Sequence, residues 1–237
     1  MRINSAEKQL NEKPYWLKHC NVIQPNEGNC FKEMLVGILP LVKKGVPELD
    51  IKPFEPLNLG AFEVNRSEDQ FITLNGNLSE IKVYGASNAS VLAAHLDINK
   101  KIMQFSLEIP KLRLNSSYNL KGGILLLPVV GSGNVNILLK NIKTTILGKI
   151  SIKKLPEEAI HIDEMKVRFS VEKMRMHFGN LFNGNRELSA SFHMFLNQNS
   201  NEILNILKEA LQHELAHIFI KIWNSVFNKF PIKFWLN

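Results

Sequence analysis

The stretch from Asn201 to Asn228, NEILNILKEALQHELAHIFIKIWNSVFN, constrains this chain more than any other. The Asn-rich segment 197–201 before it offers several N-caps, and Pro231 stops it. As one helix these residues would span about 42 Å, which is as long as a small domain is wide. Whatever else the chain makes must lie along such a rod. On a helical wheel His213, Glu214, His217, Lys221, Asn224 and Asn228 share one sector. Leu215, Phe219, Ile222, Trp223, Val226 and Phe230 lie opposite, so the apolar side needs a long apolar partner.

Residues 58–179 read as that partner, a series of strands. MQFSLEI puts Met103, Phe105, Leu107 and Ile109 on one face and Gln104, Ser106 and Glu108 on the other. VNILL aligns Val135, Ile137 and Leu139. MKVRFSV aligns Met165, Val167, Phe169 and Val171, and after one slip Met174, Met176 and Phe178 continue the pattern. A period of two means one wet and one dry face. NLKGG, VGSGN and KKLPEE read as turns, with Gly131-Ser132-Gly133 as a bend in a strand. No helix-period segment interrupts the series, so the connections are hairpins and the sheet is antiparallel. Before it, Phe31, Leu35, Ile38 and Val42 recur at helical spacing behind Asn29 as N-cap. Pro40 is a possible kink, Gly45 ends that helix, and a Pro-punctuated link, 45–57, follows. The expectation is an α+β chain, 1–237, forming a single domain.

HELAH, residues 213–217, matches the H-E-x-x-H string of zinc hydrolases. The spacing puts His213 and His217 on one helix face with Glu214 placed to activate a metal-bound water. A catalytic zinc needs a third protein ligand, and no Asp, Glu, His or Cys follows His217. The string also lies on the polar stripe of the helix. We therefore read it as solvated histidines, with a zinc hydrolase through His213, Glu214 and His217 kept as the remote alternative. The chain has no P-loop, no G-x-G-x-x-G and no G-x-S-x-G. No catalytic residue, metal ligand set or cofactor is assigned, and the chain reads as a binding protein rather than an enzyme.

Cys20 and Cys30 are the only two cysteines. A bridge between them would contribute about 3 kcal/mol in the chain-entropy model, and two free buried thiols are the alternative. Asn65, Asn77, Asn88 and Asn115 head N-x-[ST] sequons. Both features point to a secreted, oxidised protein, although the first residues show no signal-peptide core. The longest apolar run, Ile124 to Val130, contains Pro128 and falls far short of the roughly 20 residues that cross a bilayer. The net charge of +7 is spread as pairs such as Lys43-Lys44, Lys100-Lys101 and Lys153-Lys154. No aromatic-interleaved basic motif suits nucleic acid, which leaves a solvated surface or transient membrane contact.

Four blocks in this order resemble the takeout and juvenile hormone-binding protein family of insects, takeout-like members most closely. They are the Cys20/Cys30 pair with the helix ending in KKGVPELDIKPFEPL (43–57), YNLKGGILLLPVVGSGN (118–134), LFNGNRELSASFHMFLN (181–197) and the final helix ending in FNKFP (227–231). The resemblance implies a long helix wrapped by a strongly curved antiparallel sheet, with a shorter N-terminal helix, related to tubular lipid-binding domains. It implies an elongated hydrophobic tunnel and a secreted, monomeric carrier. The chain departs in having Lys208-Glu209-Ala210 where a Pro is common, and one cysteine pair where haemolymph hormone carriers often have two. The ligand class is accordingly broad: an isoprenoid such as juvenile hormone or a related terpenoid, or a fatty-acyl lipid. Lipid transfer at a membrane surface is the alternative.

Expected ligand-facing residues are the dry faces read above. The first helix gives Leu35, Ile38 and Val42. The strands give Met103, Phe105, Leu107, Leu125, Leu127, Val135, Ile137, Leu139, Met165, Val167, Phe169, Met174, Met176 and Phe178. The long helix gives Leu211, Leu215, Phe219 and Trp223. Flexible Met side chains suit a pocket for varied chains. A hydroxyl of the Tyr84 or Tyr118 type would mark a tunnel end.

Overall fold

The computed structural model describes residues 9–14, 17, 20, 27–47, 51–66, 72–124, 127–234 and 236. Helix α1 (Glu27–Lys44) precedes strands β1 (Leu57–Arg66), β2 (Ile72–Tyr84), β3 (Ser90–Asp97), β4 (Ile102–Ile124), β5 (Leu127–Lys154) and β6 (Glu158–Phe178). Helices α2 (Arg186–Gln198) and α3 (Ser200–Phe227) follow. The strands form one antiparallel sheet in the order β1-β2-β4-β5-β6. Strand β3 pairs with Ile102–Glu108 of β4, and β2 pairs with Arg113–Ile124, so the two share one edge of that long strand in tandem.

The strands are longer than their punctuation suggests. Asn119–Gly123 pair within β4, and Val130–Asn134 within β5, up to the last pair Ile124↔Leu127. NLKGG and VGSGN are therefore not turns. Close approach calls for the glycines of β5 instead: a Cβ on Gly131 would lie 2.9 Å from the Tyr118 hydroxyl, and one on Gly133 2.5 Å from the Gly179 carbonyl oxygen. KKLPEE does turn, between β5 and β6. Helix α1 begins at Glu27, which puts Asn29 inside its first turn rather than at its cap. Pro40 lies within the helix, and Gly45, at φ +78°, ends it.

The parity slip read on β6 is shared by three neighbouring strands. On β4 the inward side passes from Ile109 to Leu112, on β5 from Leu139 to Ile142, and on β6 from Val171 to Met174. Pro110 has no N–H for the ladder, and Asn141 takes a φ of +51°. The Asn141 amide donates to the Glu172 carboxylate at 2.7 Å, outside the barrel-like curve. Because all three strands shift at the same level, one apolar surface runs unbroken along the concave side.

Strand β6 is the sheet edge that the C-terminal helices cover. Asn224 of α3 accepts from the Ile162 N–H at 2.8 Å and donates to the Ile162 carbonyl at 3.0 Å. Asn197 of α2 repeats the arrangement with Met176, at 2.8 and 3.0 Å. Each amide stands in for one residue of a further strand, so free edge groups are paired instead of bared. The Cys20–Cys30 disulfide is formed, and Cys20 also bridges the C-terminal Leu236. The bridge thereby ties α1 to both ends of the chain.

Candidate ligand-binding site

Two packed clusters occupy the ends of the concave face. One gathers α1, β3, the starts of β4 and β6 and the end of α3, with Met103, Phe105, Ile160 and Phe227 almost wholly buried. The Phe105 ring meets Trp223 edge-on at 5.1 Å. The other gathers α2, the start of α3 and the far ends of β4–β6, with Val135, Leu181, Leu196 and Ile203 buried.

Between these ends the packing is uneven: Ile142 and Thr144 of β5 are buried, but the inward residues around them are not. On α3, Ile203 and Ala216 are buried, yet from Leu204 to Leu215 not one residue is. Facing them, Ile109, Leu112 and Leu114 of β4 and Phe169 of β6 point inward but stay half-buried, and they join neither cluster. Leu211 of α3 is in the same position. Apolar side chains that face inward without packing leave room for apolar matter between them.

The expected residues divide along these lines. Leu35, Ile38, Val42, Met103, Phe105, Met165 and Val167 are buried in the first cluster, where Leu107, Leu215, Phe219 and Trp223 pack at its margin. Val135, Met174 and Met176 are buried in the second, with Ile137, Leu139 and Phe178 at its margin. Phe169 and Leu211 lie in the open middle. Leu127 is 38% exposed near the end of the β4–β5 hairpin and joins neither cluster. Leu125 lies outside the described residues. Leu112 and Leu114 were missed because the slip at Pro110 hides their parity; the proline itself was the signal.

The two tyrosines are placed differently. Tyr118 is buried and donates to the Gly179 carbonyl at 2.7 Å, and burial pushes its phenol pKa up. Tyr84 lies opposite Arg113 on the outer face. His193 of α2 accepts from the Phe178 N–H at 2.8 Å and stacks on His177 at 4.5 Å. Burial first, and the neighbouring His177 second, hold its pKa below the usual histidine value.

His213 and His217 are exposed, with their Nε2 atoms 3.3 Å apart, and the Glu214 carboxylate is 3.7 Å from His213 Nδ1. Among the described residues no group of three or more His, Cys, Asp or Glu side chains could hold one ion. The wheel was incomplete on one count: Asn224 and Asn228, placed on its polar stripe, are covered, Asn224 at the β6 edge and Asn228 at 5% exposure. Of the sequons, Asn77 and Asn88 are exposed. Asn115 sits mid-sheet with its amide oxygen shut off from solvent, a poor glycan acceptor. Asn65 pairs with Asn75 in the β1–β2 ladder.

The family model described as "Haemolymph juvenile hormone binding protein (JHBP)" matches residues 2–237. The chain belongs to the JHBP family. Circadian clock-controlled protein daywake of Drosophila melanogaster is 23% identical over 226 residues, covering 92% of this chain and 86% of that protein. Its Drosophila yakuba counterpart is 22% identical over the same coverage. The crystal structure of Epiphyas postvittana Takeout 1 shares the fold, with a TM-score of 0.81 at 24% identity, over 93% of this chain and all of that one (100%). JHBP members are binding proteins rather than enzymes, and carriage of a hydrophobic ligand is what membership implies.

Proposed function

We propose that this chain is a secreted, non-enzymatic carrier that holds one hydrophobic small molecule between α3 and the concave face of the sheet. One observation carries the reading: apolar residues of β4, β6 and α3 face inward and stay half-buried between two well-packed ends. A ligand would complete that middle. The half-buried side chains there are aliphatic and aromatic, and the hydroxyl of Thr144, opposite Phe169, is already bonded to the Arg168 carbonyl, so recognition rests on apolar contact. Burial of about 0.8 kcal/mol per CH₂ gives an isoprenoid or fatty-acyl chain micromolar or tighter affinity without a charged anchor. Family membership and the Cys20–Cys30 bridge support extracellular action.

Native mass spectrometry of protein purified without organic solvent tests this directly. A one-to-one lipophilic adduct is expected. In parallel, N-phenylnaphthylamine is expected to bind saturably and to be displaced by palmitate or farnesol. A protein that carries no adduct and binds the probe without saturation would overturn the reading. Displacement by only one of the two competitors would assign the ligand to its class.

A further inference from the structure

The outer face of the sheet carries a charge pattern that carriage of an apolar ligand does not use. Lys111, Lys140 and Lys173 stand directly opposite one another on β4, β5 and β6, with about 4.8 Å from strand to strand. In the next row outward-facing Arg113 and Arg175 flank Leu138. Beyond it come Lys82, Asn115, Asn136 and His177, in register across four strands. All six Lys and Arg side chains are exposed, and no acid stands in these three rows. Two acids flank the rows: Glu172 lies 3.8 Å from the Lys173 ammonium and also accepts from Asn141, and exposed Glu80 shares a surface hollow with Lys82 and Asn136. Elsewhere on the same face charges are matched, as in Lys149–Glu164 at 2.8 Å and Lys143–Glu108 at 3.9 Å. Like charges directly opposite in a sheet are destabilising. A fold that keeps three lysines in line is set up to meet anions from outside.

The chemistry of the patch selects among polyanions. Successive nucleic-acid bases need several aromatic platforms, and apart from the His177 imidazole only Tyr84 borders these rows, half-buried. Folded protein partners use aromatic, Met and Arg anchors, and lysine is depleted at their interfaces; lysine dominates here. The strongly anionic lipid leaflet is the cytoplasmic one, and a convex sheet touches a flat bilayer along a narrow strip. A linear chain can follow the rows. Guanidinium forks suit oxyanions bidentately, and the neighbouring Asn136 amide suits hydroxyls.

We propose that the outer face of β4–β6 is a docking site for a sulfated polysaccharide of the extracellular matrix or cell surface. The choice of occupant rests on the extracellular placement argued above. The site is separate from the apolar interior.

The test uses the full chain, a size-defined heparin fragment, and titration from 0.05 to 0.5 M salt. Two fourfold variants lose the same charge. One removes Lys111, Arg113, Lys140 and Lys173 to Ala; the other removes the exposed Lys43, Lys44, Lys154 and Lys221, away from the patch. The first is expected to weaken binding by on the order of tenfold or more, and to flatten log K against log salt by about 3, at roughly 0.7 per cation. The control variant is expected to change binding little. The patch variant should melt no lower than the parent, because it relieves repulsion; Lys140→Gln alone gives a milder form of the same test. Equal losses in both fourfold variants would overturn the proposal in favour of net charge. Binding to phosphatidylserine-containing vesicles without binding to the heparin fragment would overturn it in favour of a lipid surface. N-phenylnaphthylamine uptake, measured on every variant, is expected to be unchanged, so failure of the docking site leaves the carrier reading standing.

Discussion

A carboxamide presents an N–H donor beside a carbonyl acceptor, the same pair that a backbone presents along a strand. Asn197 and Asn224 exploit this by pairing with Met176 and Ile162 at the edge of β6. Asn224→Ala is therefore expected to lower unfolding stability by about 2 kcal/mol, because it strands an edge N–H and a carbonyl together. Urea unfolding with an unchanged m-value would show it, and a midpoint equal to the parent's would exclude the clamp. His193 gives the pH dependence at this scale. Its folded-state pKa lies below the ordinary 6.5, so the unfolded chain binds the proton more readily. The contribution is fully present above about pH 6.5 and is lost as pH falls through the depressed value. Melting at pH 7.5, 6 and 5 should show a decline that His193→Gln flattens. The sequence placed Asn224 on a polar stripe but left its partner invisible, since nothing local marks which sheet edge a helix will meet.

At the scale of elements, period-two alternation fixed the strand faces wherever a run held six or more residues, as in Met103–Ile109 and Met165–Val171. Long-range register was not legible. The common slip at Pro110, Asn141 and Glu172 exists only as a relation among three strands. Helix α2 was also missed, although its start is written locally: Asn185 caps the Leu188 N–H at 3.1 Å, and Phe192 and Leu196 follow at helical spacing and are buried. Glycines were read as turns because composition alone does not distinguish a bend from a strand that another backbone crowds. The disulfide acts on an element too, holding α1 to the C-terminal Leu236 through Cys20. Replacing both cysteines by Ser is expected to lower stability by about 3 kcal/mol. Comparing chemical denaturation of this variant with that of the parent in the absence of reductant checks it, and a loss below about 1 kcal/mol would show that the tether contributes little beyond its neighbours' packing.

At the scale of the whole molecule, the proposed carrier reading places stability and binding at different points along one helix. Sequence established that α3 must run the length of the sheet, and it does, from the α2 cluster to the α1 cluster. It could not show that the ends are full and the middle is not, because Leu211 and Leu215 look alike in a pattern and differ only in what the opposite strands bring to them. This arrangement separates two kinds of substitution. Phe105→Ala empties a site that is 1% exposed and removes the edge-on contact with Trp223, and is expected to cost about 3–5 kcal/mol of stability. Leu211→Ala, at a half-buried position outside both clusters, should cost less than about 1.5 kcal/mol, since the side chain makes fewer packed contacts to lose. Its effect belongs to binding: weaker N-phenylnaphthylamine affinity by several-fold, from lost apolar contact. Leu211→Trp supplies the opposite case, filling the gap with the protein's own side chain and lowering probe capacity with stability kept or raised. Paired denaturation and probe titrations on the three variants decide the matter. If Leu211→Ala unfolds as readily as Phe105→Ala and Leu211→Trp unfolds more readily than either, the middle is ordinary core and the apolar carrier site lies elsewhere.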